Sequence, residues 1–170
     1  MRNSYEVRAQ KFIREIFPFL TDCVDCWDYE EAVYNYMIEH PRRKVRFDHG
    51  MTRVAIITSD YVVKIDYSED HIKDFGGGEQ EILFYQMAER EGMAHLFAKI
   101  SRYDFGGRRF YIMPRVKGIN EYRWEDAWFF MSDEEHEWCE DHHLYDLHSK
   151  NYGLVNGKVC IFDYGAYDQE

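Results

Sequence analysis

The stretch Leu144-Tyr145-Asp146-Leu147-His148-Ser149-Lys150-Asn151-Tyr152-Gly153, followed by Ile161-Phe162-Asp163-Tyr164-Gly165, decides how this chain is read. It places Asp146, Asn151 and Asp163 at intervals of five and twelve residues. Between the last two lie two β-like runs, Leu154–Val155 and Val159–Phe162, around Asn156-Gly157, the pair that most strongly signals a two-residue hairpin. Carboxylate and amide oxygens are the donors that Mg²⁺ prefers in its tight octahedral shell. A further carboxylate beside such a centre can orient or deprotonate a hydroxyl.

Working outward, Gly76-Gly77-Gly78 punctuates the chain ahead of a helical pattern over Glu79 to Arg90, with Ile82, Leu83, Tyr85 and Met87 available for burial. Upstream, the β-branched runs Arg53–Thr58 and Tyr61–Ile65 are split by Ser59-Asp60 and predict a hairpin. Downstream, Ala98–Tyr103 and Arg109–Met113 predict two more strands joined by Gly106-Gly107. An acidic, aromatic stretch follows Gly118, with a helix expected over Asp133 to His142. Phe12, Ile13, Ile16, Phe17 and Leu20 keep the spacing of one helix face up to Pro18 and the Thr21-Asp22 break. A second helix is expected over Tyr29 to Glu39, stopping at His40-Pro41. The order of elements is α+β, with no internal repeat. Three segments are expected: helical residues 1–44, a sheet-rich region 45–118 and a region 119–170 that carries the quoted stretch.

The composition bounds the function. A chain of 170 residues, 45% hydrophobic and 31% charged, fits one soluble globular domain that needs no disulfide framework. No apolar run approaches the ~20 residues that span a bilayer, and MRNSYEVRAQ does not read as a signal peptide, so a soluble, cytoplasmic protein is expected. Four cysteines and eight histidines suit a reducing compartment. The net charge of −11 opposes nucleic-acid binding, which rests on phosphate neutralisation; Arg42-Arg43-Lys44-Val45-Arg46 is the local exception.

The quoted stretch resembles the catalytic loop and metal-binding motif of the protein kinase-like superfamily. Its Asp-Leu-His-x-x-Asn form is closer to aminoglycoside-phosphotransferase-like and compact phage-type kinases than to eukaryotic ones. The resemblance implies a small β-sheet N-lobe, a minimal helical C-lobe and the N-terminal helices as an addition. It implies Asp146 as catalytic base, Asn151 and Asp163 as Mg²⁺ ligands, and His148 in the place usually taken by a catalytic-loop lysine. Tyr61-Val62-Val63-Lys64-Ile65 looks like the strand carrying the phosphate-binding lysine, with Glu81 as its ion-pair partner and Glu79 as the alternative. Phe110 to Gly118 looks like the last N-lobe strand and hinge. There Met113 would be the gatekeeper, and backbone groups of Pro114 and Val116 would face adenine. ATP and Mg²⁺ are the implied cofactors. A protein hydroxyl is the preferred acceptor, in host cytoplasm if the chain is viral, with a small cationic acceptor next.

The chain departs from that pattern in three places. The phosphate loop is reduced to Asp48-His49-Gly50-Met51-Thr52-Arg53 with one glycine, where Arg53 could substitute electrostatically. Leu144 and Tyr145 stand where His or Arg usually precedes the catalytic Asp. Five residues follow Gly165, so a minimal C-lobe without an activation segment is expected, its acceptor surface unusual or supplied by a partner. A pseudokinase-like binding module is therefore the rival reading. Each residue also has a plain alternative. Lys64 could be a solvated strand lysine, Asp163 the start of a turn, His148 a loop cap and Arg53 a surface ion pair. Cys23-x-x-Cys26 and Cys139-x-x-His142 have the spacing of two zinc half-sites, or hold small buried thiols. Asp133 to Asp141 is a solvated acidic face or a draw for a cationic substrate or basic peptide. Trp124, Trp128, Phe129 and Phe130 read as core rather than surface.

Overall fold

The computed structural model describes residues 4–50, 52–67, 77–117, 127–144, 147 and 150–164. These residues form two compact units, 1–78 with 100–115 and 79–99 with 116–170. The architecture is mixed α and β, with a five-stranded antiparallel sheet, a separate hairpin and four α-helices among the described residues.

In the first unit, α1 (Ser4–Leu20) and α2 (Cys26–Glu39) pack on one face of the sheet. The sheet comprises β1 (Arg46–His49), β2 (Arg53–Ile57), β3 (Tyr61–Asp66), β4 (Ser101–Phe105) and β5 (Arg108–Pro114), in the order β1-β2-β3-β5-β4. The helix spacing read from Phe12, Ile13, Ile16 and Leu20 places all four in the core, beside Val54, Ile56, Val63, Ile65, Phe110 and Ile112. Phe12 meets Tyr36 edge-on at 5.6 Å, and Phe17 meets Phe105 at 5.1 Å. Pro18 sits inside the last turn of α1. Gly106 lies at φ 60°, and a Cβ there would stand 2.0 Å from the Phe17 ring, so only glycine satisfies both the turn and the packing.

The structure moves several expected boundaries. α2 starts at Cys26 rather than Tyr29, because Asp25 accepts the N–H of Trp27 and Asp28 while Asp28 returns the bond to Asp25, a capping box. An additional edge strand, β1, precedes the expected hairpin. β4 begins at Ser101, not Ala98, since the Ala98 N–H is taken at 2.7 Å by the Ile161 carbonyl of the second unit, to which residue 98 belongs.

The second unit holds α3 (Gly78–Arg90, whose first residue closes the first unit), α4 (Asp133–Asp141) and the hairpin of β6 (Tyr152–Val155) with β7 (Lys158–Ile161). Its centre is aromatic: the Phe84 and Phe97 rings lie 5.3 Å apart, and each lies 5.1–5.9 Å from the Trp138 and Tyr164 rings. The aromatic cluster expected to be core divides. Trp128 packs on His136 at 4.1 Å, Phe129 is largely exposed, and Trp124 lies outside the described residues. Among the described residues no helix is long and apolar enough to cross a membrane.

Candidate functional site

The approach to the quoted stretch is set by the end of α4. His143 takes φ 55°, the Leu144 N–H bonds the Cys139 carbonyl at 2.9 Å, and the His143 N–H bonds the Glu140 carbonyl at 3.0 Å. This is a Schellman ending, and it turns the chain sharply out of the helix. Leu144 and Leu147 are then buried, and the Leu147 carbonyl accepts the Ala127 N–H at 3.2 Å. Asp146 and His148 lie outside the described residues.

The Asn156-Gly157 turn, with φ 54° and 78°, sets the register of β6 and β7, which pair Val155 with Lys158 and Tyr152 with Ile161. Continuing that register one step sets Asn151 opposite Phe162. The Asn151 carbonyl accepts the Phe162 N–H at 2.8 Å and the Asp163 N–H at 3.3 Å. A sequence interval of twelve residues is thereby folded into direct contact. Asn151 is buried while Asp163 is exposed. An amide oxygen and a carboxylate held on adjacent backbone form a donor set that suits Mg²⁺.

Two residues that sequence reasoning did not single out secure this arrangement. A Cβ at Gly153 would stand 2.1 Å from the Lys117 carbonyl oxygen, so the 116–117 segment passes directly over β6. Tyr164 is buried; its hydroxyl donates to the Ala98 carbonyl at 2.8 Å, and its N–H meets a Glu81 carboxylate oxygen at 3.4 Å. Within the second unit, the residue after Asp163 is thus tied to Glu81. Glu81 is fully buried, whereas Glu79 is only partly so. The signal for Tyr164 was its phenol next to Asp163, a polar tip on a ring otherwise suited to a core. Gly153 carried no signal short of knowing what crosses it.

In the first unit, strand alternation puts Lys64 on the sheet face opposite α1 and α2, since Val63 and Ile65 belong to the core those helices cover. Cross-strand partners share a face, which gives the rows Ala55–Lys64–Tyr111 and Ile57–Val62–Met113. Lys64 is buried there, unlike a solvated strand lysine, and Met113 is buried beside it. Arg53 opens β2 opposite Asp66, and its carbonyl accepts the Gly50 N–H at 2.9 Å, closing the β1–β2 turn. The Asp66 carboxylate accepts the Gly78 N–H at 3.2–3.3 Å, and a Cβ on Gly78 would collide with the Tyr111 ring at 2.2 Å.

Arg115 donates its N–H to the Asp60 carbonyl at 3.0 Å, extending the β3–β5 ladder. By alternation the Pro114 carbonyl points to the other side, where the β4–β5 ladder has stopped at the Ser101–Ile112 pair. Proline costs no ladder bond there. The chain passes from the first unit to the second between Arg115 and Val116.

Both zinc half-sites are engaged in ordinary contacts. Cys23 is buried, its thiol facing the Phe19 carbonyl, and burial raises its pKa. Burial pushes the Cys139 thiol up to about 12. His142 directs Nδ1 at the Trp138 carbonyl (2.8 Å) and Nε2 at Glu91 (3.2 Å). No group of three or more His, Cys, Asp or Glu among the described residues could hold a metal ion. In α4, Glu135 closes a capping box with Ser132, and the N–H it accepts there, together with His95, outweighs burial and lowers its pKa. Asp133, Glu134, Glu137, Glu140 and Asp141 are exposed.

The geometry defines a class first: a mixed α/β protein with an antiparallel sheet bearing a buried lysine, and a hairpin that joins an Asn to an Asp. No protein-family model matches the chain. No curated protein matches it. Among solved structures it is similar to the Legionella pneumophila Lpg2603 kinase bound to IP6, with a TM-score of 0.42 and 11% identity over 76% of this chain. The match covers 62% of that kinase, so the chain spans less than two thirds of its length.

Proposed function

We propose that the protein is an ATP- and Mg²⁺-dependent phosphotransferase of minimal kinase-like fold, acting on protein serine or threonine hydroxyls in the manner of a compact phage-type kinase. The observation that carries this reading is the Asn151 carbonyl, which accepts the N–H of both Phe162 and Asp163 and so sets the two Mg²⁺-ligand candidates side by side. In this reading Asn151 and Asp163 hold the metal, Lys64 contacts the phosphates, and Glu81 orients that lysine. Arg53 and the Gly50 backbone would contact the phosphates. Met113, the Pro114 carbonyl and Val116 receive the adenine. Asp146 would orient the acceptor hydroxyl, with His148 in the role usually taken by a catalytic-loop lysine. When bound, ATP would supply the phosphoryl group and Mg²⁺ would neutralise its developing charge.

The test is Mg²⁺-dependent turnover of ATP in wild type and Asp146→Ala. Loss of a positioned base is expected to lower the rate by about 10²–10⁴-fold while nucleotide binding persists. A variant as active as wild type overturns the mechanism. The β1–β2 turn favours a second reading, a nucleotide-binding module without turnover. It has a single glycine, at which a Cβ would make only an ordinary 3.9 Å contact, so nothing there requires a close backbone approach. The exposed carboxylates of α4 would draw a cationic acceptor, either a basic peptide or a small cationic molecule.

A further inference from the structure

We infer that the outer face of α2 is a docking site for a cationic amphipathic helix of a protein partner. This goes beyond phosphotransfer and depends on none of its residues. The inner face of α2 buries Tyr29, Ala32, Val33 and Tyr36. On the outside, Val24, Trp27, Glu31, Tyr34 and Ile38 follow one another at steps of three, four, three and four, the repeat of a coiled-coil seam. Trp27, Tyr34 and Ile38 are 71%, 60% and 60% exposed, far more than bulky apolar side chains with core partners. They fall within about 40° of one helical direction and span about 16 Å along the axis. Val24 leads into the seam from outside the helix, held by its N–H to the Asp28 carboxylate at 2.9 Å. An exposed Trp and Tyr in register are the residue types that dominate interface energetics.

Charge selects the occupant. Residues 21–40 contain Asp22, Asp25, Asp28, Glu30, Glu31 and Glu39 and no Lys or Arg; the exposed bases Arg42, Arg43, Lys44 and Arg46 follow after Pro41, beyond the end of α2, with Arg43 paired to Glu15. Glu31 sits within the seam, and Asp28 and Glu30 flank it. Arg108 reaches only the N-terminal end, where it donates to the carbonyls of Thr21 and Cys23 and to the Tyr29 hydroxyl. Two copies of α2 would bring Glu31, Asp28 and Glu30 against like charges, which disfavours self-pairing, and an anionic lipid surface is repelled in the same way. A helix with its own three-four apolar repeat and Lys or Arg alongside answers both features. It fills the seam and pairs Glu31 as the seam is desolvated.

The test uses the full chain and a fluorescein-labelled peptide of three heptads, with Leu at the seam positions and Lys at the flanking ones, followed by anisotropy at physiological salt. Saturable binding is expected. It should weaken at least about tenfold in Trp27→Ala, weaken likewise in Glu31→Lys, and stay unchanged in Phe129→Ala, which removes an exposed apolar side chain from the other unit. Any of the following results would overturn the inference. One is the absence of saturable binding, or equal binding by Trp27→Ala. Another is equal binding of a peptide with Ser in place of Leu, which would reduce the effect to charge alone. The last is a wild-type dimer in sedimentation that Trp27→Ala abolishes, which would make a second copy the occupant.

Discussion

Gly153→Ala is the substitution that most sharply tests how the Asn151–Asp163 pair is held. The added Cβ would meet the Lys117 carbonyl oxygen at 2.1 Å, the Val116 Cγ1 at 2.7 Å and the Lys117 carbonyl carbon at 2.9 Å. Two of the three obstacles are backbone, so relief needs a shift of more than about 1 Å in β6 or in the 116–117 segment rather than a new rotamer. Overpacking of well-packed sites costs about 1–3 kcal/mol, and a backbone obstacle belongs at the upper end. At about 2–4 °C per kcal/mol for a chain of this size, Tm should fall by about 6–12 °C. Gly157→Ala is the control. It places a Cβ in open space but at φ 78°, so its cost is the left-handed backbone alone, about 1–2 kcal/mol. Thermal unfolding of both variants beside wild type, followed by circular dichroism, should rank Gly153→Ala clearly below Gly157→Ala. Equal losses, or a Gly153→Ala chain that melts with wild type, would refute the close crossing.

Other expectations follow from the same structure. Tyr164→Phe removes the donor to the buried Ala98 carbonyl and should cost about 1–2 kcal/mol in urea unfolding; an unchanged midpoint would contradict that bond. Ser132→Ala deletes the capping bond to the Glu135 N–H and should cost about 1 kcal/mol by the same assay, with a larger loss than at an uncapped helix surface position. Burial pushes the thiols of Cys139 and Cys160 up to about 12 and about 11 from an ordinary 9.0. The folded chain therefore holds these protons more tightly than the unfolded one. That contribution is fully present below about pH 9 and is lost as pH rises toward the folded values. Stability measured from pH 8 to 10.5 should fall less steeply in Cys139→Ala than in wild type, and parallel curves would contradict the burial.

The elements that local rules govern were legible in the sequence. The apolar face of α1 and the turns at Gly106-Gly107 and Asn156-Gly157 follow from periodicity and from residues that tolerate positive φ. So does the pairing of Asn151 with Phe162, the neighbour of Asp163, because a two-residue turn centred on 156–157 dictates which residues face each other. The start of α2 was missed because its first turn, Cys26-Trp27-Asp28, has no helical apolar pattern, and the signal lies in the Asp25–Asp28 capping box. β1 was missed because Arg46-Phe47-Asp48-His49 is an exposed edge strand with one apolar residue. Ala98 looks like the start of a strand but spends its N–H on Ile161, sixty-three residues later, a choice only tertiary structure makes. The roles of Gly153 and Tyr164 depend on what crosses or accepts from them, which local sequence does not contain.

Under the proposed function, Asn151 and Asp163 would hold the metal of a Mg²⁺-dependent nucleotide site. The measurement that addresses it most directly is thermal unfolding of the full chain with ATP, with and without Mg²⁺, beside Asp163→Ala. Ligand at 100 times its Kd should stabilise the folded state by about 2.7 kcal/mol, or about 5–10 °C in Tm. The account predicts a Mg²⁺-dependent shift in wild type that Asp163→Ala loses. No shift at millimolar ATP, or the same shift in the variant, would contradict it.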